Sequence, residues 1–201
     1  MMVRTGWLAT VAALAMMTAT SAGAQRFSEG YRYLEAVKKA DGNELTKILN
    51  NPQSRIIDAR NDSGEGALHI VAKRSDSTYL GFLLARGANP NIQDGQGDTP
   101  MMTALQSSFL NGVETLIARK ANVNLANNRG ETPLIRAVQL RNLEAARVLL
   151  AAGADPDQTD NVAGMSARDY AGVDTRSPAL GKLIADAPKV QRRTTSGPKL
   201  R

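Results

Sequence analysis

The chain has 201 residues, with 25 Lys and Arg against 19 Asp and Glu, a formal net charge of +6, one histidine and no cysteine. Without cysteine, thiol catalysis, Cys-ligated zinc and iron–sulfur chemistry drop out together. Setting aside Arg4 and the five cations after residue 186 (Lys189, Arg192, Arg193, Lys199 and Arg201) leaves 19 basic and 19 acidic residues over 25–186. The basic character therefore belongs to the tail and not to the body of the chain.

In chain order, the first element is a leader. Arg4 supplies a positive start, Trp7 to Met17 is a short apolar run, and Ala22-Gly23-Ala24 puts small residues where a signal peptidase reads. This pattern predicts a secretory signal peptide over 1–24, cut before Gln25. The run is short for a membrane anchor, which needs about 20 apolar residues. No Cys near the cleavage site allows a lipoprotein. Residues 25–201 have the length of one ordinary domain and can bury a core without disulfides.

Beyond the leader one phrase is written four times: Gly64-Glu65-Gly66-Ala67-Leu68-His69, Gly97-Asp98-Thr99-Pro100-Met101, Gly130-Glu131-Thr132-Pro133-Leu134 and Gly164-Met165-Ser166-Ala167-Arg168. The leading glycines are 33, 33 and 34 residues apart. An apolar pair follows each by 19 and 20 residues: Leu83-Leu84, Leu116-Ile117, Leu149-Leu150 and Leu183-Ile184. Thr99 and Thr132 are suited to N-cap a first helix, with Pro100 and Pro133 at its first position. Leu134, Ala137 and Val138, then Leu143, Ala146, Leu149 and Leu150, recur at helical spacing. Gly87 and Gly153 follow second helices, where a left-handed residue is expected, and Lys120 stands at the matching place in between. Helices this short are marginal alone, so stacking must stabilise them.

A period near 33 carrying a Thr-Pro-Leu-His phrase resembles the ankyrin repeat, a β-turn followed by two antiparallel helices. The resemblance covers residues 30 to 186. It implies an all-α ankyrin-repeat solenoid of about five helix–turn–helix repeats with short β-turn fingers. The repeats fall at about 29–61, 62–93, 94–126, 127–160 and 161–186, within a domain spanning 25–186. Tyr33-Leu34-Glu35-Ala36-Val37 with Leu45, Ile48 and Leu49 looks like an N-terminal cap. Lys38, Lys39, Asp41, Asn43, Glu44 and Lys47 give that cap a polar outer face. Ile48-Leu49 precedes Leu83-Leu84 by 35 residues, which predicts a small insertion at Asn51-Pro52-Gln53-Ser54. The pattern departs from the family at Gly66-Ala67, which lacks the N-cap hydroxyl. It departs again in the fifth repeat, where Arg168 occupies the usual Leu position and Pro178 opens the last helix. The fifth repeat reads as a C-terminal cap, and residues 187–201 as a basic disordered tail.

No residue set argues for an active site. His69 is the only histidine, so any Ser-His-Asp triad would have to use it. The resemblance gives it hydrogen bonding within and between repeats instead. A metal would need several His or Cys ligands; the carboxylates Asp155, Asp157 and Asp160 fall where ankyrin sequences carry turn residues. Asp62, Asp94, Asn127 and Asn161 read as turn formers. Gly64-Glu65-Gly66 and Gly95-Gln96-Gly97 lack the preceding strand and the Lys of a phosphate loop. No catalytic residue, metal or cofactor is expected, nor a small-molecule substrate.

The function read from this sequence is a non-enzymatic protein-binding scaffold in the periplasm, its partner being another protein across the concave face. The positions matching the family's variable sites are Asp62, Ser63, Glu65, Lys73 and Arg74 in the second repeat, Gln96, Asp98, Gln106 and Ser107 in the third, and Asn128, Arg129, Glu131, Gln139 and Leu140 in the fourth. Two alternatives stand beside it. One is an inhibitor or immunity protein for an envelope enzyme or toxin. The other is a nucleic-acid or membrane-surface binder acting through the basic tail. The tail has no aromatic for base stacking, which argues against nucleic acid and leaves anionic membrane contact open.

Overall fold

The computed structural model describes residues 29–51 and 56–189. The expected signal peptide over 1–24 with its cut before Gln25, the expected insertion after Asn51 and the expected tail beyond 189 lie outside the described residues. Among the described residues ten helices form five antiparallel pairs. They are α1 (29–39) with α2 (Gly42–Leu49), α3 (Ala67–Lys73) with α4 (Ser77–Ala85), α5 (Pro100–Gln106) with α6 (Leu110–Ala118), α7 (Pro133–Gln139) with α8 (Leu143–Ala151), and α9 (Ala167–Val173) with α10 (Pro178–Ala185). The described residues hold no strand, only the bridges Arg60–Gly66 and Thr159–Ser166 at the bases of two fingers. This is an all-α repeat solenoid, as the period requires.

The helix starts follow the sequence. Thr99 and Thr132 accept from the backbone N–H groups of Met102 and Ile135, with Pro100 and Pro133 next in line. Asp41, Asp76 and Asn142 cap α2, α4 and α8 in the same way. Where Gly66 offers no hydroxyl, the His69 ring turns back and its Nδ1 accepts from the Gly66 N–H at 3.2 Å. Ser166 and Asp169 form a reciprocal capping box on α9.

From α3 onward the odd-numbered helices pack on one another more closely than the even-numbered ones. Between the rows runs one continuous core. Tyr33, Leu45, Leu68, Leu80, Leu83, Met101, Leu116, Leu134 and Leu149 are fully buried in it. Such burial contributes roughly 1.5–3 kcal/mol per large side chain before entropy is counted. In the first helix pair Tyr33, Leu34 and Val37 point inward while Lys38, Lys39 and Lys47 are exposed.

The fifth repeat ends differently from a simple polar cap. Arg168, in the position of an apolar residue elsewhere, donates to the carbonyls of Ile184 (2.6 Å), Ala185 (2.9 Å) and Ala187 (3.1 Å) and to Asp157 (2.8 Å). It closes the orphan carbonyls at the end of α10.

Helix α6 ends in a Schellman motif: the Lys120 N–H meets the Ile117 carbonyl at 2.9 Å and the Ala121 N–H meets that of Leu116 at 2.9 Å. Lys120 has φ +62°, matching Gly87 (+90°) and Gly153 (+89°). A Cβ is strained there, and a Cβ placed on either glycine meets nothing within 4 Å. Lys120→Gly is therefore expected to stabilise the domain by roughly 0.5–1 kcal/mol, the relief of strain outweighing the gain in unfolded-state entropy. Urea melts check this, and an unchanged or lower midpoint would show that the helix dipole's attraction for the lysine outweighs the strain.

Candidate protein-binding face

Four fingers project from the starts of α3, α5, α7 and α9, and one polar residue builds each. The side-chain Oδ1 of Asn61 accepts from the N–H groups of Ser63 (3.0 Å) and Glu65 (2.9 Å). Asp94 does the same for Gln96 and Asp98, and Asn127 for Arg129 and Glu131. Asp160 takes the N–H groups of Val162, Ala163 and Gly164. Of the expected turn formers, Asp94 and Asn127 hold their turns; in the outer two fingers Asn61 and Asp160 do so, one residue before Asp62 and Asn161. Neighbouring fingers are joined by single backbone bonds: Gly95 N–H to Ser63 O (2.9 Å), Asn128 N–H to Gln96 O (3.0 Å) and Asn161 N–H to Arg129 O (2.8 Å).

On this ladder Asp62, Ser63, Gln96, Asn128 and Arg129 are exposed at the fingertips. Lys73, Gln106, Gln139 and Leu140 are exposed at the ends of α3, α5 and α7, with Leu140 at 44%. The last turns of the odd helices carry Lys38 and Lys39, then Lys73, Gln106, Gln139 and Val173, cationic at one end and uncharged at the other. Lys73 and Lys38 are paired with Glu65 and Glu35.

Other sequence-derived candidates are engaged by neighbouring groups of the domain. Arg74 is exposed but tethered: its guanidinium donates to the carbonyls of Val37 (2.8 Å) and Lys38 (3.0 Å), pairs with Asp76 (2.9 Å) and lies 5.5 Å from the Tyr79 ring centroid. Its reach to α1 ties the second repeat to the cap. Ser107 is half-buried, its hydroxyl 3.4 Å from the Lys73 carbonyl. Asp98 is buried, accepting from Asn127 Nδ2 at 2.7 Å with Arg136 at 3.5 Å. Glu131 is half-buried beneath the surface and accepts from Arg136 (2.7 Å), Arg129 (2.7 Å) and Asn127 (3.1 Å). Burial pushes the Glu131 carboxyl up, but the hydrogen bonds from Arg129, Arg136 and Asn127 outweigh it and hold the pKa down at about 2.

Arg136 was not among the sequence candidates. The available signal was an arginine inside the apolar run Pro133–Val138, with Glu131 five residues before it. The three turn carboxylates weighed as metal ligands are also occupied. Asp155 accepts from the Asp157 N–H, Asp157 pairs with Arg168, and Asp160 receives the Tyr170 hydroxyl at 2.6 Å. Among the described residues no cluster of three or more His, Asp or Glu could hold a metal ion, and no helix is long and apolar enough to cross a membrane.

The family model for ankyrin repeats, three copies long, matches residues 34–127 and 68–160. The chain belongs to the ankyrin-repeat family. Similar proteins include the nuclear factor NF-kappa-B p110 subunit of Drosophila melanogaster, 30% identical over 82 residues, or 36% of this chain and 8% of that protein. An ankyrin repeat protein of Acanthamoeba polyphaga mimivirus is 37% identical over 75 residues, 37% of this chain and 10% of that protein. The chain thus spans a tenth or less of the length of these relatives. Ankyrin repeats imply protein–protein interaction in general, the surface varying on a shared scaffold.

His69 plays the ankyrin part expected of it. Nδ1 accepts from Gly66, which assigns the proton to Nε2, and Nε2 donates to the Asp98 carbonyl of the next repeat at 2.9 Å. Burial pushes its pKa below the ordinary histidine value. The folded state therefore keeps the ring neutral while the unfolded chain takes a proton below about pH 6.5. The linked stability is fully present above that pH and is lost as pH falls through it. A urea midpoint that declines from pH 7 toward 5.5 is expected, with a smaller decline in His69→Leu; equal slopes would remove the histidine from the account.

Proposed function

We propose that this chain is a non-enzymatic protein-binding scaffold acting in the periplasm of a Gram-negative bacterium, its partner seated across the fingertips and the ends of the odd helices. The observation that carries the binding reading is the fingertip ladder, whose backbone bonds fix exposed side chains at a constant spacing. A surface ordered before binding loses little entropy on association. Export rests on the leader alone: the charged start, the short apolar run and the small residues before Gln25.

Capture of the partner from envelope extract by the mature protein, followed by mass spectrometry, identifies it. Lys73→Glu with Gln106→Glu is then expected to weaken the complex by calorimetric titration more than deletion of 187–201 does. Arg74 is left intact because its bonds are to α1. The reverse order would move the site to the tail. Intact mass of the envelope-fraction protein is expected to correspond to a chain beginning at Gln25, and an unprocessed cytosolic chain would overturn the localisation.

A further inference from the structure

Among the described residues the fingertip ladder stops with one unfilled half-bond at each end. At the first finger the Asp62 N–H occupies the place of the Gly95, Asn128 and Asn161 donors, and among the described residues it meets no acceptor. At the last finger the Val162 carbonyl occupies the place of the Ser63, Gln96 and Arg129 acceptors, and no described residue donates to it. The side chains follow suit. A Cβ on Gly97 or Gly130 would strike the next finger at 2.5–2.7 Å, whereas one on Gly164 meets nothing. Val162 is 74% exposed.

Beside Asp62 lies an open cavity of about 580 Å³, bounded by Tyr31, Leu34, Glu35 and Lys38 of α1 and by the first finger. It is the seat that a finger preceding α1 would take. Tyr31 at its edge is 65% exposed. Three of the four large apolar side chains exposed among the described residues (Tyr31, Val162 and Val173) are thus in the end repeats. In a repeat stack the outer faces of the end repeats are ordinarily polar, which keeps the stack from continuing.

We propose that a second copy of this chain seats its last finger in that cavity. The Val162 carbonyl of one copy accepts from the Asp62 N–H of the next, and the Val162 isopropyl group is covered by the exposed Tyr31. The register argues for this occupant: the chain repeats one donor–acceptor step three times and carries the complementary halves of a fourth at its two ends. The contact is heterologous, so pairs can lengthen into rows. It uses the ends of the stack; of the fingertip candidates it engages Asp62, through the backbone N–H, beside Ser63.

Sedimentation velocity on the chain as the producing cell processes it is expected to show association that grows with concentration. Asp62→Pro removes the N–H at a turn position that favours proline, and Val162→Asp replaces an apolar side chain by a carboxylate in a seat that already holds Glu35 and Asp62. Each is expected to weaken self-association about tenfold or more, with its circular-dichroism melt unchanged. The deciding measurement mixes the two. Each variant retains one sound end, so together they are expected to form a 1:1 pair that neither forms alone and that does not lengthen. Monomers at every concentration would overturn the proposal and assign the seat to the chain's own residues before 29 or to solvent. Association that both variants leave unchanged would overturn it in favour of another surface.

Discussion

Arg136→Met is expected to destabilise the domain by about 3–5 kcal/mol, the scale for removing one partner of a buried ion pair. The side chain of Arg136 is 6% exposed, against 12% for Glu131 and 8% for Asp98. Methionine fills similar space and leaves two carboxylates without their shared cation. Arg129 still reaches Glu131 at 2.7 Å, and Asn127 still reaches both acids, so the lower half of that range applies if these contacts tighten. A second measurement separates charge from packing. Glu131 is held at about 2 in the folded protein, so its contribution is fully present above the ordinary glutamate pKa and is lost as pH falls toward 2. Removing Arg136 raises that folded pKa and flattens this part of the acid limb. Urea midpoints at neutral and acid pH read both effects. A loss under about 1 kcal/mol with an unchanged acid limb would assign the carboxylate's stabilisation to Arg129 and Asn127.

Gly130→Ala is expected to cost roughly 2–4 kcal/mol, combining a left-handed Cβ with overpacking. Gly130 has φ +77°, and an added Cβ would lie 2.7 Å from the backbone nitrogen of Asn161. That nitrogen is also the donor to Arg129 O, so the finger cannot swing aside without breaking the ladder. Gly153→Ala is the control. Its φ is +89°, but nothing lies within 4 Å, so only the conformational term of about 1–2 kcal/mol applies. Lys120, left-handed in the native protein, shows that this term alone is tolerated. Thermal melts of the two variants with equal losses would mean that the fingers yield and the ladder is soft.

Much of the molecule was legible before folding because the informative signals are local. Thr99 and Thr132 cap their helices within three residues, Pro100 and Pro133 start them, and the Leu-Leu pairs lie one period apart on the buried face. The same locality made Lys120 readable as left-handed by comparison with Gly87 and Gly153. The fingertip candidates Asp62, Ser63, Gln96, Asn128 and Arg129 came out exposed because a four-residue turn has no room to bury them.

What the sequence by itself determined was the period, the helix ends and the identity of the apolar faces, since a cap or an i to i+4 stripe closes within a few residues. What only the tertiary structure decided was where the long polar side chains go. Arg74 reaches the carbonyls of α1, Arg136 goes under the surface to Asp98, and Arg168 clasps the end of α10. Their partners lie 16 to 38 residues away. An arginine has several acceptors within reach of its stem, and which one it takes depends on how neighbouring helices stack, so neither the tether of Arg74 to α1 nor the burial of Arg136 could be read. Burial of Asp98 was decided in the same way, by the finger and helix of the following repeat closing over it.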